Sequence, residues 1–134
     1  MRFHRGANKQ EPVFVENLKE ELKTLLRLGY PIIYFFTWEE ERGEAIIEEA
    51  CNSLGKKLLF WSATKGFRGL KEGLGSEPLE AIKSLSRMGG GTVALLVDFH
   101  HYLNDPLILR YLRDMARGAP SNAPQVIILS PVIR

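Results

Sequence analysis

The sequence has few of the features that would set it apart from an ordinary globular chain. Its 134 residues include one cysteine, Cys51, which excludes an internal disulfide and fits a reducing compartment. The longest apolar runs, such as Thr92–Val97, are far too short to span a bilayer. The basic residues near the N-terminus are not followed by an apolar segment, so no signal peptide is recognisable. We therefore expect a cytoplasmic location and no membrane partner.

Net charge is also low, at +2, which by itself does not indicate nucleic acid as a partner. The charge is unevenly distributed, however. Residues 11–55 carry ten acids and four bases, whereas residues 56–134 carry eleven bases and six acids. This polarity suits contacts with a like domain or a neighbour, but two solvated acidic helices would produce the same pattern.

A glycine-rich loop is missing where a nucleotide-binding α/β domain would hold phosphate on backbone N–H groups. The apolar strand 32–37 runs directly into a helix, and no glycine lies between Pro31 and Arg42. Three glutamates at 39–41 occupy the first helical turn, where they match the helix dipole and would repel phosphate. Thr37 and Glu40 have the spacing of a capping box, which would satisfy free N–H groups of the helix. The sequence predicts a nucleotide-binding type of fold without its phosphate site.

Short apolar strands alternate with amphipathic helices along the chain. The pattern predicts helices at 16–28, 39–54, 77–88 and 106–117, and strands at 32–37, 57–62, 92–98 and 125–130. Residues 1–12 are predicted to be a flexible N-terminal segment, 13–15 a short strand or a staple onto the first helix, and 63–76 a loop. This order predicts an α/β domain: a three-layer parallel sheet of about four strands with helices on both faces.

Several segments carry a family resemblance. They are Tyr-Pro-Ile-Ile-Tyr at 30–34, Thr-Trp-Glu-Glu-Glu-Arg at 37–42, Trp-Ser at 61–62 with Lys-Gly at 65–66, Val-Asp-Phe-His at 97–100, Leu-Asn-Asp-Pro at 103–106 and Ile-Leu-Ser-Pro at 128–131. Together they resemble the N-terminal, degenerate ATPase-like domain of an AAA-type ATPase family, a conserved open reading frame in cyanobacteria, other bacteria and red-algal plastids. The resemblance implies that residues 13–134 form a degenerate P-loop NTPase (AAA-like) core. It also implies that the chain is a fragment of a longer ATPase, whose complete AAA module would follow.

The resemblance also assigns roles near two strand ends. Asp98 would be the magnesium-linked carboxylate after the Walker B strand, but Phe99 follows where an active enzyme usually carries a catalytic glutamate. Ser130 would occupy a sensor position. Without the phosphate loop and the second acid, we expect no catalytic residue, no cofactor and no hydrolysis by this chain, whereas the full-length family protein would be an ATPase. The alternative is a vestigial site in which Asp98, Lys65 and Ser130 bind ATP and magnesium weakly.

Five residues are candidates for partner binding. Trp38 and Trp61 lie at the carboxyl ends of strands, where α/β domains bind ligands, although packing is the commoner use of tryptophan. Arg68 lies in the glycine-containing loop, which is either a surface loop or a recognition loop for a partner or a phosphate-bearing ligand. Arg110 and Arg113 share one helical face by their spacing.

Two other chemistries are considered and not favoured. Arg117 extends the basic helical face toward a nucleic-acid interface, but the intervening Asp114 and the low net charge favour a solvated face. Asp98, His100, His101 and Asp105 include good metal ligands, but adjacent histidines at a strand exit point in different directions, so no metal site is expected.

The favoured function is that of a non-catalytic N-terminal domain of an AAA-type ATPase, serving assembly, regulation or partner recognition. Its expected partner is a downstream AAA module or another protein. The alternatives are a nucleotide-responsive domain that binds ATP weakly and a nucleic-acid-binding module. In an AAA core a fifth strand pairs with the first, and that fifth strand would be missing here. We therefore expect self-association through the open strand 32–36, unless residues 13–15 or 132–133 fold over it.

Overall fold

The computed structural model describes residues 2–5, 12–68, 75–118 and 123–131. Strands and helices alternate along these residues. The strands are β1 (Arg2–Arg5), β2 (Ile32–Thr37), β3 (Lys57–Ser62), β4 (Gly66–Arg68), β5 (Thr92–Val97) and β6 (Gln125–Pro131), and the helices are α1 (Pro12–Arg27), α2 (Glu40–Ser53), α3 (Pro78–Ser86) and α4 (Pro106–Ala116). A short 3-10 turn, Phe99–Tyr102, connects β5 to α4.

The strands form one sheet in the order β1-β2-β6-β5-β3-β4. All neighbouring strands are parallel except β3 and β4, which are antiparallel. The four central strands are the four that the sequence predicts, and helices cover both faces, so the three-layer α/β prediction is confirmed. The expected number of about four strands is too low, because β1 and β4 extend the sheet at its two edges.

Each face of the sheet packs against its own pair of helices. Because side chains alternate along a strand, Ile33 and Phe35 of β2 face α1 and α2, while Ile32 lies on the side of α3 and α4. The central strands have no polar face, as a sheet covered on both sides requires. The buried residues of the first helix pair are Leu18, Leu22, Leu25, Leu26, Ile46, Ile47, Ala50 and Cys51, and those of the second are Ala81, Ile82, Leu85, Ile108, Leu112 and Met115.

The N-terminal predictions are wrong in two places. Residues Arg2–Arg5, expected to be flexible, form β1, and residues 13–15, expected to be a strand or staple, lie inside α1. Strand β1 pairs with β2 from Arg2 opposite Ile33 to Arg5 opposite Phe36. The expected open edge at 32–36 is therefore covered, since β2 bonds to β1 on one side and β6 on the other. Residues 6–11 and 132–133 lie outside the described residues.

The expected loop at 63–76 is also partly a strand. Gly66 to Arg68 form β4, which turns back onto β3 and pairs Phe67 with Trp61. The sequence signal was weak because β4 has only three residues and begins with a glycine at a φ of 68°. Residues 69–74 lie outside the described residues. This hairpin matters for the site because it builds one wall of a cavity.

Candidate functional site

An open cavity of about 480 Å³ lies at the carboxyl edge of the sheet, where parallel α/β sheets bind ligands. The end of β3, the β3–β4 turn, β4, the end of β5, the 3-10 turn and the first turns of α2 enclose it. Its charged lining residues are the acids Glu40, Glu44 and Asp98 and the bases Lys65 and Arg68, with His101 beside them. Phe60, Val97 and Tyr102 supply most of its apolar surface, and the almost fully buried Trp61 lies behind them.

The connection from β2 to α2 differs from the predicted capping box. Helix α2 has Glu39 as its N-cap residue, and no side chain caps it. The hydroxyl of Thr37 instead accepts a hydrogen bond from the Glu39 amide, 3.1 Å away, within a tight turn. The capping prediction is wrong because the N-cap is Glu39, two residues after the Thr37 that the capping-box spacing assumed. Glu40 and Glu41 still occupy the first helical turn, as expected.

Glu40 is held in a strongly acidic setting. Burial of its carboxyl raises its pKa above the usual value, and the neighbouring charges of Asp98, Glu44 and Glu41 raise it further. The negative charges of Asp98, Glu44 and Glu41 that contribute to this raised pKa would also repel a phosphate placed beside Glu40. The acidic first turn therefore opposes phosphate at this helix end.

Asp98 has an unusual backbone. Its φ of 59° is the only positive value at a non-glycine position among the described residues, and its amide donates a 2.9 Å hydrogen bond to the carbonyl of Leu129 on β6. This left-handed turn directs the chain from β5 into the 3-10 turn, and aspartate tolerates it better than most residues. The next residue, Phe99, is fully buried, and the Asp98 carboxylate lines the cavity.

Ser130 is engaged away from the cavity. Ser130 is only 3% exposed, and its hydroxyl lies 2.9 Å from His100 Nδ1. The ring of His101 lies 4.0 Å from that of His100 and is tilted by 37°. Burial lowers the pKa of His100, and the neighbouring His101 lowers it further, while Asp98 acts in the opposite direction. Of the three predicted nucleotide-site residues, Asp98 and Lys65 share the cavity and Ser130 does not line it.

The two tryptophans differ in their surroundings. Trp61 is 1% exposed, packs edge-on against Phe99 and Tyr102, and donates its indole N–H to the carbonyl of Gly75. Its main role is therefore in packing, and it offers a partner almost no surface. Trp38 is 39% exposed just beyond β2 and retains the accessibility that a partner contact needs.

The candidate arginines also lie in two places. Arg68 lines the cavity, with its guanidinium 4.4 Å from the ring centre of Phe60. Arg110 and Arg113 are exposed on α4, on the other side of the sheet from α2, and Arg110 Nη2 pairs with Asp114 at 2.7 Å. Arg110 and Arg113 thus do not join Arg68 in one site.

Within the described residues, no three histidine, cysteine or acidic side chains converge as metal ligands would. The helices of the described ranges are too short or too polar to cross a membrane. Cys51 is fully buried in α2, and burial raises its thiol pKa to about 11, which makes it a poor nucleophile.

The comparisons with known proteins agree with this architecture. Residues 18–134 match the family model described as the N-terminal domain of SpoVK-like AAA ATPases. The chain belongs to this family. The predicted resemblance to the N-terminal domain of an AAA-type ATPase is thereby confirmed.

Curated relatives match most of this N-terminal domain. Each is called an uncharacterized AAA domain-containing protein ycf46. The one from Guillardia theta is 32% identical over 124 residues, 88% of this chain and 24% of the relative. Those from Pyropia yezoensis and Trieres chinensis are 30% and 33% identical over 85% and 82% of this chain. The chain spans about a quarter of the length of these relatives. No solved structure gives a significant match.

Several lining residues of the cavity are missed by sequence reasoning. Glu44 follows Glu40 by one helical turn, so the spacing alone could have placed both carboxylates on one face of α2. Phe60 and Tyr102 carry no such signal, because they reach the cavity only once β4 folds back on β3 and the 3-10 turn packs beside it.

Proposed function

We propose that this chain is a non-catalytic domain of an AAA-type ATPase and that it recognises a partner instead of hydrolysing ATP. The observation that carries this proposal is the acidic edge of the cavity formed by Glu40, Glu44 and Asp98. A triphosphate is normally held by backbone N–H groups of a glycine-rich loop together with a lysine. In this family member the equivalent helix end presents carboxylates in its first turn.

The residues around Asp98 also argue against hydrolysis. Phosphoryl transfer needs a group that orients the attacking water as well as the metal-linked carboxylate. The residue after Asp98 is the buried Phe99, which has no polar atom for that task. Ser130, the candidate sensor, has its hydroxyl bonded to His100. These features support an interaction role.

The partner that we propose is the AAA module that would follow this domain in a longer protein, or a protein that such an ATPase acts with. The relatives are about four times as long as this chain and carry an AAA domain in their names, which supports this choice. We also propose the cytoplasm as its location, since the only thiol is a buried cysteine.

A second candidate is weak binding of magnesium–ATP, because Asp98 and Lys65 line the same cavity. The two candidates can be separated by the melting temperature of the 134-residue chain with and without millimolar magnesium–ATP. A ligand at 100 times its dissociation constant stabilises by about 2.7 kcal/mol, which is several degrees for a domain of this size. We expect no magnesium-dependent rise. A rise that disappears in Lys65→Gln but persists in Lys57→Gln would support the nucleotide-responsive function instead.

Nucleic-acid binding has less support. Arg110 and Arg113 on α4 and Arg117 at its C-cap, which suggested it, are all exposed, but Arg110 is already paired with Asp114. Binding to a generic DNA duplex that weakens steeply with salt, and that is lost in Arg113→Gln, would favour this third function.

A further inference from the structure

The cavity at the carboxyl edge of the sheet has walls of opposite charge. Glu40 and Glu44 of α2 and Asp98 after β5 form one wall, which we call the acidic wall. Lys65 of the β3–β4 turn and Arg68 of β4 lie on the other, which we call the basic wall. Both walls belong to one cavity of about 480 Å³, within the range of about 300–1,000 Å³ that holds small ligands.

The two walls are not joined to each other. Among the described residues, no ion pair links a carboxylate of the acidic wall to a cation of the basic wall. The guanidinium of Arg68 lies over the ring of Phe60, 4.4 Å from its centre, on its own side of the cavity. Charges that face one cavity without pairing leave room for a ligand that contacts both.

The acidic wall favours a cation over a neutral group. Glu40 and Glu44 are one helical turn apart, and their mutual repulsion with Asp98 contributes to the raised pKa of Glu40. A bound cation would relieve that repulsion. Phe60, Val97 and Tyr102 line the same cavity, and their apolar carbons suit an aliphatic stem.

We propose that this cavity binds a basic amino-acid unit with a free carboxylate, its ammonium or guanidinium group at the acidic wall and its carboxylate at the basic wall. The unit is either free arginine or lysine or the C-terminal residue of a partner polypeptide, and the two share this chemistry. The proposal rests on the function proposed above, because it names what the non-catalytic domain recognises. It requires no reaction and no metal.

Three small probes test the pattern of charges. Nα-acetyl-arginine carries both charges, Nα-acetyl-arginine amide carries only the cation, and Nα-acetylglycine carries only the carboxylate. We expect amide chemical-shift changes at Gly66 and Val97 with millimolar Nα-acetyl-arginine, and a dissociation constant at least about tenfold lower than for either of the other probes. Equal binding of the acid and its amide would overturn the role of the basic wall, and absence of binding by all three would overturn the proposal.

Matched variants test the walls. Glu44→Gln and Lys65→Gln should each weaken binding of Nα-acetyl-arginine about tenfold, because each removes one charge that faces the ligand. Glu48→Gln, one turn further along α2, and Lys57→Gln, at the opposite end of β3, should leave it unchanged, since neither lines the cavity. Equal losses in all four variants would indicate non-specific attraction and overturn the proposal.

Two further measurements complete the test. One distinguishes a free amino acid from a polypeptide terminus as the ligand, and the other distinguishes failure of this inference from failure of the proposed function. Free arginine that binds more tightly than a tripeptide ending in arginine identifies a small metabolite, and the reverse identifies a polypeptide terminus. Magnesium–ATP that binds and displaces Nα-acetyl-arginine would contradict the proposed function, whereas failure of the arginine probes without ATP binding would contradict only the present inference.

Discussion

At the scale of single residues, Asp98 shows how one position serves both fold and cavity. Its left-handed backbone lets its amide reach Leu129 of β6 while its carboxylate stays on the solvent side. Strained backbone of this kind persists only where the surrounding structure holds it, and it concentrates at functional sites. Asp98 therefore belongs to the cavity through its geometry as well as through its charge.

Cys51 provides a residue-scale prediction on pH. Its native pKa of about 11 lies above the ordinary value of 9.0, because burial disfavours the thiolate. Above pH 9 the unfolded chain loses the thiol proton that the folded chain retains, so the free energy of unfolding falls as pH rises toward 11. Urea unfolding at pH 8 and pH 10.5 should show a larger loss of stability in the wild type than in Cys51→Ala. Equal losses of stability in the two proteins would contradict the raised pKa of the Cys51 thiol.

At the scale of elements, the N-cap residues of α4 and α3 differ in whether their side chains form a hydrogen bond to the helix. The Asp105 carboxylate accepts hydrogen bonds from the amides of Leu107 at 2.9 Å and Ile108 at 3.4 Å, while Pro106 follows in the first turn of α4. Asp105→Ala should therefore lower the free energy of unfolding by about 1 kcal/mol, and Asp105→Asn by much less. Glu77 is the matched control, because it occupies the N-cap of α3 without a side-chain bond. Chemical denaturation should leave Glu77→Ala close to the wild type.

A second element-scale prediction concerns Gln125 at the start of β6. Its buried side-chain amide donates to the carbonyls of Leu26, at 3.1 Å, and Tyr30, at 2.9 Å, and so joins the end of α1 to the sheet. Gln125→Met keeps the approximate size but leaves both carbonyls without this donor, which should cost about 1–3 kcal/mol. Ser86→Ala removes the hydrogen bond that the exposed Ser86 hydroxyl donates to the Lys83 carbonyl. This change should cost less than about 0.5 kcal/mol in the same denaturation assay. Similar costs for both variants would show that the Gln125 bonds contribute little.

These elements also show what the sequence could predict. The four central strands are unbroken apolar runs between helices with clear periodicity, and the Asp105–Pro106 helix start follows from capping chemistry. Strand β1 has no such signal, because its residues at 2–5 include two arginines and its place depends on the free edge of β2. The cavity depends on the same kind of tertiary event. The acids and bases that line it are spread over residues 40–101 and meet only after the chain folds.

At the scale of the whole molecule, the helical layers divide the charge. Helices α1 and α2, on one face, come from the acidic part of the chain, while α3 and α4, on the other, come from the basic part. Most of this difference comes from α2, whose five glutamates and one arginine give −4, whereas α4 carries +1 and α1 and α3 are each neutral. This arrangement suits a stack of like domains, yet exposed charges at this density are strongly screened by salt.

Self-association depends more on the edge of the sheet than on this distribution of charge. Strand β1 has four residues and begins and ends with arginine, and short, charged edge strands resist pairing with other chains. With β1 in place we expect the full chain to remain monomeric at micromolar concentration. Removal of residues 1–11 would expose the backbone N–H and C=O groups along β2, and the self-association expected for the strand 32–36 should then occur.

Light scattering after size-exclusion chromatography can test this expectation on the full chain and on a chain that begins at Pro12. The shortened chain should elute as a dimer or larger species, and a synthetic peptide of residues 1–11 should restore the monomer by occupying the edge again. Truncation is preferred to a charged substitution in β2, because Ile33 is fully buried and a lysine at that position would unfold the domain. A shortened chain that stays folded and monomeric would mean that β2 does not pair with other chains even when its edge is open.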